Sequence, residues 1–238
     1  MFKELLAQGV EQMGLSLTQG QLEQFARYHQ MLTQAGRTMN LTRVNANDQE
    51  SVPRHYLDSL TLLAHPGLLQ GVDALADVGS GAGLPGLALA IALPQVRVTL
   101  IDALGKRVNF LEEVIRALGL NAQALHARCE DAGRDPALRD RFPLVTARAV
   151  ADTPLLAELA LPLVRPGGRL VCYKGPAAQE EAQRAQGALA VLNGRIEAIL
   201  PAPIPGQDWD HRLLVLQKTG ATPLRYPRKA GIPEKKPL

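Results

Sequence analysis

Asp77-Val-Gly-Ser-Gly-Ala-Gly-Leu-Pro-Gly86 joins an apolar run to a helical one with almost no side chains in between. Ala74, Leu75, Ala76 and Val78 read as a short buried strand, with the acid Asp77 at its end. Gly79, Gly81 and Gly83 let the backbone take positive φ and approach a ligand closely. Pro85 suits the first turn of a helix, where its missing N–H costs nothing. The predicted helix then runs through Leu87, Leu89, Ile91 and Leu93. A turn of this kind holds a nucleotide-like cofactor at a helix N-terminus.

Outward from the turn, strand and helix alternate. Strands are predicted at 73–78, 96–101, 122–127, 143–148, 168–173, 195–200 and 211–217. A helix from Lys106 carries Val108, Leu111, Ile115 and Leu118 on one face and stops at Gly119. Another follows Thr153, an N-cap candidate backed by Pro154. Arg165-Pro-Gly-Gly168 reads as a turn feeding the next strand. Residues 1–72 look helical instead. Thr18 and Gln21 stand at capping-box spacing, and a turn around Gly36 leads to Met39-Asn-Leu-Thr42. A further helix is predicted from Asp48 to Ala64, ended by Pro66 and Gly67. The expectation is an α/β fold: a doubly wound, mostly parallel Rossmann-like sheet with an N-terminal helical extension. The divisions are 1–72 for the extension, 73–222 for the core and 223–238 for a tail.

Two cofactors suit the turn. Gly81 to Gly86 matches the dinucleotide pattern G-x-G-x-x-G. The additional upstream glycine and the acid before the turn favour S-adenosylmethionine over NAD. A carboxylate repels a pyrophosphate but attracts an ammonium and a sulfonium. Asp102, roughly 20 residues beyond the turn, is placed to hydrogen-bond ribose hydroxyls of either cofactor.

The 238 residues are 46% hydrophobic and 21% charged, an ordinary globular balance. Cys129 and Cys172 lie in apolar stretches with no metal or disulfide spacing, which fits a reducing compartment. Glu4 and Glu11 interrupt any signal-peptide core, and the longest apolar run, Leu87 to Leu93, is too short to span a membrane. A cytoplasmic protein is expected. Its net charge of +3 is unevenly spread. From Pro223 onward Arg225, Arg228, Lys229, Lys235 and Lys236 face one acid, Glu234, so the tail carries all the excess positive charge. Such a tail reads as a phosphate-binding arm.

Open parallel sheets bind ligands beyond the carboxyl ends of their strands. The candidates there are Asp77, Asp102, Cys129, Glu130, Asp131, Arg148, Tyr173 and Lys174. Glu130 is placed to face an adenine edge, and a buried Arg148 needs a charged or oxygen-rich partner. His55 and Asp58 share one helix face, either as an acid/base pair or as a packing and capping device. No metal-type cluster and no Gly-x-Ser-x-Gly nucleophile elbow occurs.

With these residues in place, the chain resembles the RsmG family, also called glucose-inhibited division protein B. The resemblance is carried by Asn40-Leu-Thr42, His55-Tyr-Leu-Asp-Ser-Leu60, the turn from Asp77 to Gly86, and Gly105-Lys-Arg107. It continues through Thr146-Ala-Arg-Ala149, Pro166-Gly-Gly168, Lys174-Gly175, Arg225-Tyr-Pro-Arg-Lys-Ala-Gly231 and Lys235-Lys-Pro-Leu238. It implies transfer of a methyl group from S-adenosylmethionine to N7 of a guanine in small-subunit 16S rRNA, leaving S-adenosylhomocysteine. It also implies cofactor contacts from Gly79, Leu84, Asp102, Cys129, Glu130 and Arg148, to which the turn adds Gly81 and Gly83. Cys129 stands where the family often has alanine, and Arg134 to Arg141 looks like a small insertion or lengthened helix.

Guanine N7 carries an in-plane lone pair and needs no base to become a nucleophile. The expected catalysis is therefore positioning, with no catalytic side chain assigned. Lys106, Arg107, Arg225, Arg228, Lys229, Lys235 and Lys236 are expected to hold phosphates; low aromatic content argues against a stacking platform and leaves Tyr56, Tyr173 and Tyr226 as the candidate stackers. The expected partner is 16S rRNA or the small subunit, met by a monomer without metal or membrane. A small-molecule methyltransferase, an NAD-dependent oxidoreductase and a non-catalytic ribosome-binding protein remain as alternatives.

Overall fold

The computed structural model describes residues 1–36 and 48–238. The Asn40-Leu-Thr42 motif, and the turn expected to lead to it, lie outside the described residues.

Helices α1 (Phe2–Gln12) and α2 (Gln19–Gly36) open the chain. The capping box forms as expected: Gln21 N–H donates to Thr18 Oγ1 at 3.2 Å, and Thr18 N–H donates to Gln21 Oε1 at 2.9 Å. The helix expected from Asp48 to Ala64 is not uniform. It runs as α3 (Asp48–Ser51), a wider π turn (Val52–Leu57), α4 (Asp58–Leu60) and a 3-10 turn (Thr61–Ala64). The π turn inserts an extra residue per turn beside His55 and Asp58, a device that often re-aims functional side chains.

The core alternates as β1 (Ala74–Val78), α5 (Gly86–Ala92), β2 (Arg97–Asp102), α6 (Gly105–Leu118), β3 (Ala122–His126), α7 (Cys129–Ala132) and β4 (Phe142–Arg148). Next come α8 (Thr153–Ala160), β5 (Val164–Lys174), α9 (Ala178–Arg184), α10 (Gln186–Val191), β6 (Gly194–Pro201) and β7 (Arg212–Lys218). A short α11 (Ile232–Lys235) lies in the tail. The seven strands stand in the order β3-β2-β1-β4-β5-β7-β6. Strands β1 to β5 pair in parallel, and β7 runs antiparallel to both β5 and β6. The order reverses between β1 and β4, and ligands bind at such a switch point.

Two apolar clusters sandwich the sheet. One joins Phe25, Tyr28 and Tyr56 of the N-terminal helices to Leu75, Leu87 and Leu100 of the core. The other joins Val145 and Leu170 to Leu156 and Leu189 of α8 and α10. The N-terminal helices thus complete the core on one face.

Three local expectations change. Asp152, with extended ψ of 161°, is the N-cap of α8, and Thr153 is its first helical residue. Thr153 instead sends its hydroxyl to Glu181 Oε2 at 2.8 Å, so its polar group serves a tertiary contact. The turn expected at 165–168 is an irregular stretch inside β5, with Gly167 at φ +82° and a register shift opposite Phe142 and Leu144. Arg134 to Arg141 is not a lengthened helix; α7 ends at Ala132. Arg139 there donates to the carbonyls of Gly133, Tyr226 and Thr222 at 2.6–2.8 Å, so this segment docks the start of the tail.

Candidate functional site

The glycine turn leaves β1 at the switch point. Gly79, Gly81 and Gly83 have φ of +64°, +57° and +98°, the left-handed region expected of them. Crowding adds a second reason at two glycines. A β-carbon on Gly79 would lie 2.6 Å from Val150 Cγ2, and one on Gly86 would lie 2.2 Å from Leu100 Cδ2.

Asp102 holds the turn from β2. Its Oδ2 accepts from Gly81 N–H at 2.8 Å and its Oδ1 from Leu104 N–H at 2.9 Å, with Arg107 Nη1 at 3.5 Å from Oδ2. Tyr28 holds it from α2, donating its hydroxyl to Ala82 O at 2.7 Å. An N-terminal helix therefore fixes the turn directly. Cys129 sits close enough for its sulfur to meet the Gly79 backbone. Burial, with Glu130 and Asp102 nearby, pushes its thiol up to about 12, so it stays protonated. Glu130 is buried in the first turn of α7.

Asp77 faces the protein interior. Its carboxylate is fully buried, accepting from Thr146 Oγ1 at 2.8 Å and from Gly86 N–H at 3.3 Å. Burial raises it to about 6 against the pull of these hydrogen bonds. It braces the turn from behind, so its charge would act on a ligand through the low-dielectric interior and not by direct contact.

Arg148 finds the partner it needed in Asp58. Arg148 Nη1 donates to Asp58 Oδ2 at 2.7 Å and to Arg54 O at 3.2 Å. The other Asp58 oxygen meets His211 Nδ1 at 2.8 Å. Hydrogen bonds from His211 and Arg148 outweigh burial and hold Asp58 below the usual carboxylate range. His55 turns away into the core, where burial and then Arg148 lower it to about 4. His55 and Asp58 therefore form no acid/base pair. One is a packed neutral ring, and the other ties α4, β4 and β7 together.

A cavity of ≈ 520 Å³ opens beyond the carboxyl ends of β4 and β5. Asp58, Arg148 and His211 line one side of it, and Tyr173, Lys174 and Glu181 another. Val150 belongs to its wall and also touches Gly79, so cavity and glycine turn share a partition. Lys174 Nζ donates to Ala151 O at 2.8 Å and Glu181 Oε2 at 2.7 Å.

The candidate stacking tyrosines are buried: Tyr56 lies in the aromatic core, and Tyr173 donates its hydroxyl to Ser59 O at 2.8 Å. Tyr226 is 9% exposed, with Arg225 over its ring at 5.1 Å. The half-buried aromatic near the cavity is Trp209, with Arg54 at 4.4 Å on its ring and His211 stacked at 5.4 Å. Among the phosphate candidates, Lys106, Arg225, Lys229, Lys235 and Lys236 are exposed. Arg228 is not free for phosphate. Its guanidinium binds buried Glu158 at 2.6–3.2 Å and Lys236 O at 2.7 Å.

Glu181, Trp209 and His211 were missed by sequence reasoning. Glu181 sits in a polar helix surface pattern, and His211 meets Asp58 across 153 residues. Only the single tryptophan carried a signal in its rarity.

The sequence matches a family model, GidB, described as rRNA small subunit methyltransferase G, over residues 21–202. A ribosomal RNA small subunit methyltransferase G from Lactobacillus johnsonii is 44% identical over 240 residues, covering 100% of both chains. One from Pelotomaculum thermopropionicum is 42% identical over 236 residues, covering 99% of this chain and 98% of the relative. Two solved structures share the fold. The S-adenosylmethionine-dependent methyltransferase SibL, in its apo form, has a TM-score of 0.52 at 19% identity, covering 69% of this chain and 55% of that one. The branched-chain polyamine synthase of Thermus thermophilus, in complex with N4-aminopropylspermidine and 5'-methylthioadenosine, has 0.53 at 17%, covering 70% and 57%.

Proposed function

The chain belongs to the rRNA small subunit methyltransferase G family, and from that premise we propose that it methylates N7 of a guanine in 16S rRNA, using S-adenosylmethionine. The observation that carries this reading is the shared partition at Val150 between the glycine turn and the polar cavity. A donor on the turn and an acceptor in the cavity would be neighbours.

The residues fit the donor. A β-carbon at Gly81 would meet nothing nearer than Gly79 O at 3.8 Å, so the turn's backbone is open to a ligand. Gly79, Gly81, Gly83 and Leu84 would line the donor, Asp102 would accept from ribose hydroxyls, and Cys129 and Glu130 would border the adenine. When bound, S-adenosylmethionine supplies an electrophilic methyl group on a sulfonium. Arg148, locked by Asp58, would border both ligands and fix their approach. Guanine N7 brings its own lone pair, so the chain need only align the reactants and exclude water, which can supply about 7–11 kcal/mol.

Arg225, Lys229, Lys235 and Lys236 of the tail, with Lys106 of α6, would hold RNA phosphates, while Arg228 anchors the tail. Among the described residues no helix is long and apolar enough to cross a membrane. A substrate of this kind puts the protein's work in the cytoplasm.

The test is incubation with labelled S-adenosylmethionine and unmodified small subunits, naked 16S rRNA or a small-molecule pool, then mapping of the labelled nucleotide. Label at one guanine N7 is the expected result. Label only in small molecules, or none, rejects the reading.

A further inference from the structure

Glu181 has two unlike oxygens. Its Oε2 accepts three hydrogen bonds, from Thr153 N–H at 3.0 Å, Thr153 Oγ1 at 2.8 Å and Lys174 Nζ at 2.7 Å. Its Oε1 accepts none from the described residues, and the side chain lines the cavity with 17% exposure. A carboxylate has about four lone-pair sites, so one side is pinned while the other keeps its full capacity.

The cavity's other acids differ. Both Asp58 oxygens are engaged, by Arg148 and His211. Asp152 is exposed, where water replaces any partner it loses. The cations are also committed, Lys174 to Ala151 and Glu181, and Arg148 to Asp58. With Asp58, Asp152 and Glu181 set against Arg148, Lys174 and His211, the lining has no positive excess for a phosphate. It suits a neutral polar group with donors to give.

We propose that Glu181 selects the acceptor base, its Oε1 taking hydrogen bonds from N1–H and the N2 amino group of guanine; this rests on the cavity being the seat of the methylated base. Guanine carries two adjacent donors on that edge, whereas adenine turns a lone pair at N1 toward the carboxylate. A site built around a hydrogen bond rejects an analogue lacking it, because the buried group is left unpaired. The placement also serves the chemistry. Glu181 approaches from α9, beyond the end of β5, while the turn lies on the β1 side of β4. A base held by its N1–N2 edge at Glu181 keeps N7, on another edge, free to face the donor.

Single-turnover methylation tests this with small subunits carrying guanosine or inosine at the modified position. Inosine keeps N7, O6 and N1–H and lacks only the N2 amine. Wild-type protein should lose about tenfold or more on inosine. Glu181→Ala, which loses both bonds, should lose at least as large a factor on guanosine and nothing further on inosine. Equal sensitivity of variant and wild type to inosine would overturn the proposal, since a purely structural Glu181 gives independent, multiplying losses. S-adenosylhomocysteine affinity monitors folding, and Glu181→Gln replaces the alanine variant in the same cycle if that fails to fold. Wild-type protein inert on guanosine subunits overturns the methyltransferase reading itself.

Discussion

Gly79 and Val150 press together across the β1–β4 boundary so closely that a β-carbon on the glycine would lie 2.6 Å from Val150 Cγ2. One contact therefore joins the glycine turn to the cavity wall. Gly79→Ala meets both a clash and a φ of +64°, and should cost about 1–3 kcal/mol. Adding Val150→Ala should recover the steric part and leave the backbone part. Denaturant melts of the single and double variants read this, and equal losses in both would show that the clash is unimportant.

Asp77 should give the protein an inverted acid response. Its carboxyl is raised to about 6, above the unfolded value of about 3.9. The native state binds this proton more tightly, so Asp77's contribution is full below about pH 4 and is lost as pH rises through 6. The stability of wild type minus that of Asp77→Asn should fall by roughly 2–3 kcal/mol between pH 4 and 7. A flat difference would show that Asp77 does not titrate there.

Asp102 and His55 should separate binding from stability. Asp102→Ala leaves Gly81 N–H and Leu104 N–H without their acceptor and removes the proposed ribose partner. S-adenosylhomocysteine affinity should drop about tenfold or more in a calorimetric titration. His55→Ala hollows a packed core site and should cost about 2 kcal/mol or more with little change in affinity. The reverse pattern would reject both assignments.

The tail's cations should divide into two kinds. Replacing Lys235 and Lys236 with alanine should flatten the salt dependence of RNA binding by about 0.7 per contact. Arg228→Ala should instead free the tail from Glu158, raising protease sensitivity beyond Thr222. An Arg228→Ala variant with a protected tail and a flattened slope would return Arg228 to the phosphate-binding set.

The seven strands, the positive-φ glycines, the Thr18–Gln21 cap and the stop at Gly119 were legible in sequence because each rests on local chemistry. Alternating burial, missing β-carbons and capping geometry are properties of neighbours along the chain. Local chemistry also placed Asp77, Asp102 and Arg148 at strand ends. It could not say where their side chains point. Burial turned Asp77 behind the turn, and a partner 90 residues away claimed Arg148. The pairing of Arg228 with Glu158, the Glu181 oxygen that has no partner among the described residues, and the cavity itself exist only once distant strands lie side by side. A charge in sequence is a potential contact; the fold decides whether it is spent on the protein or left for a ligand.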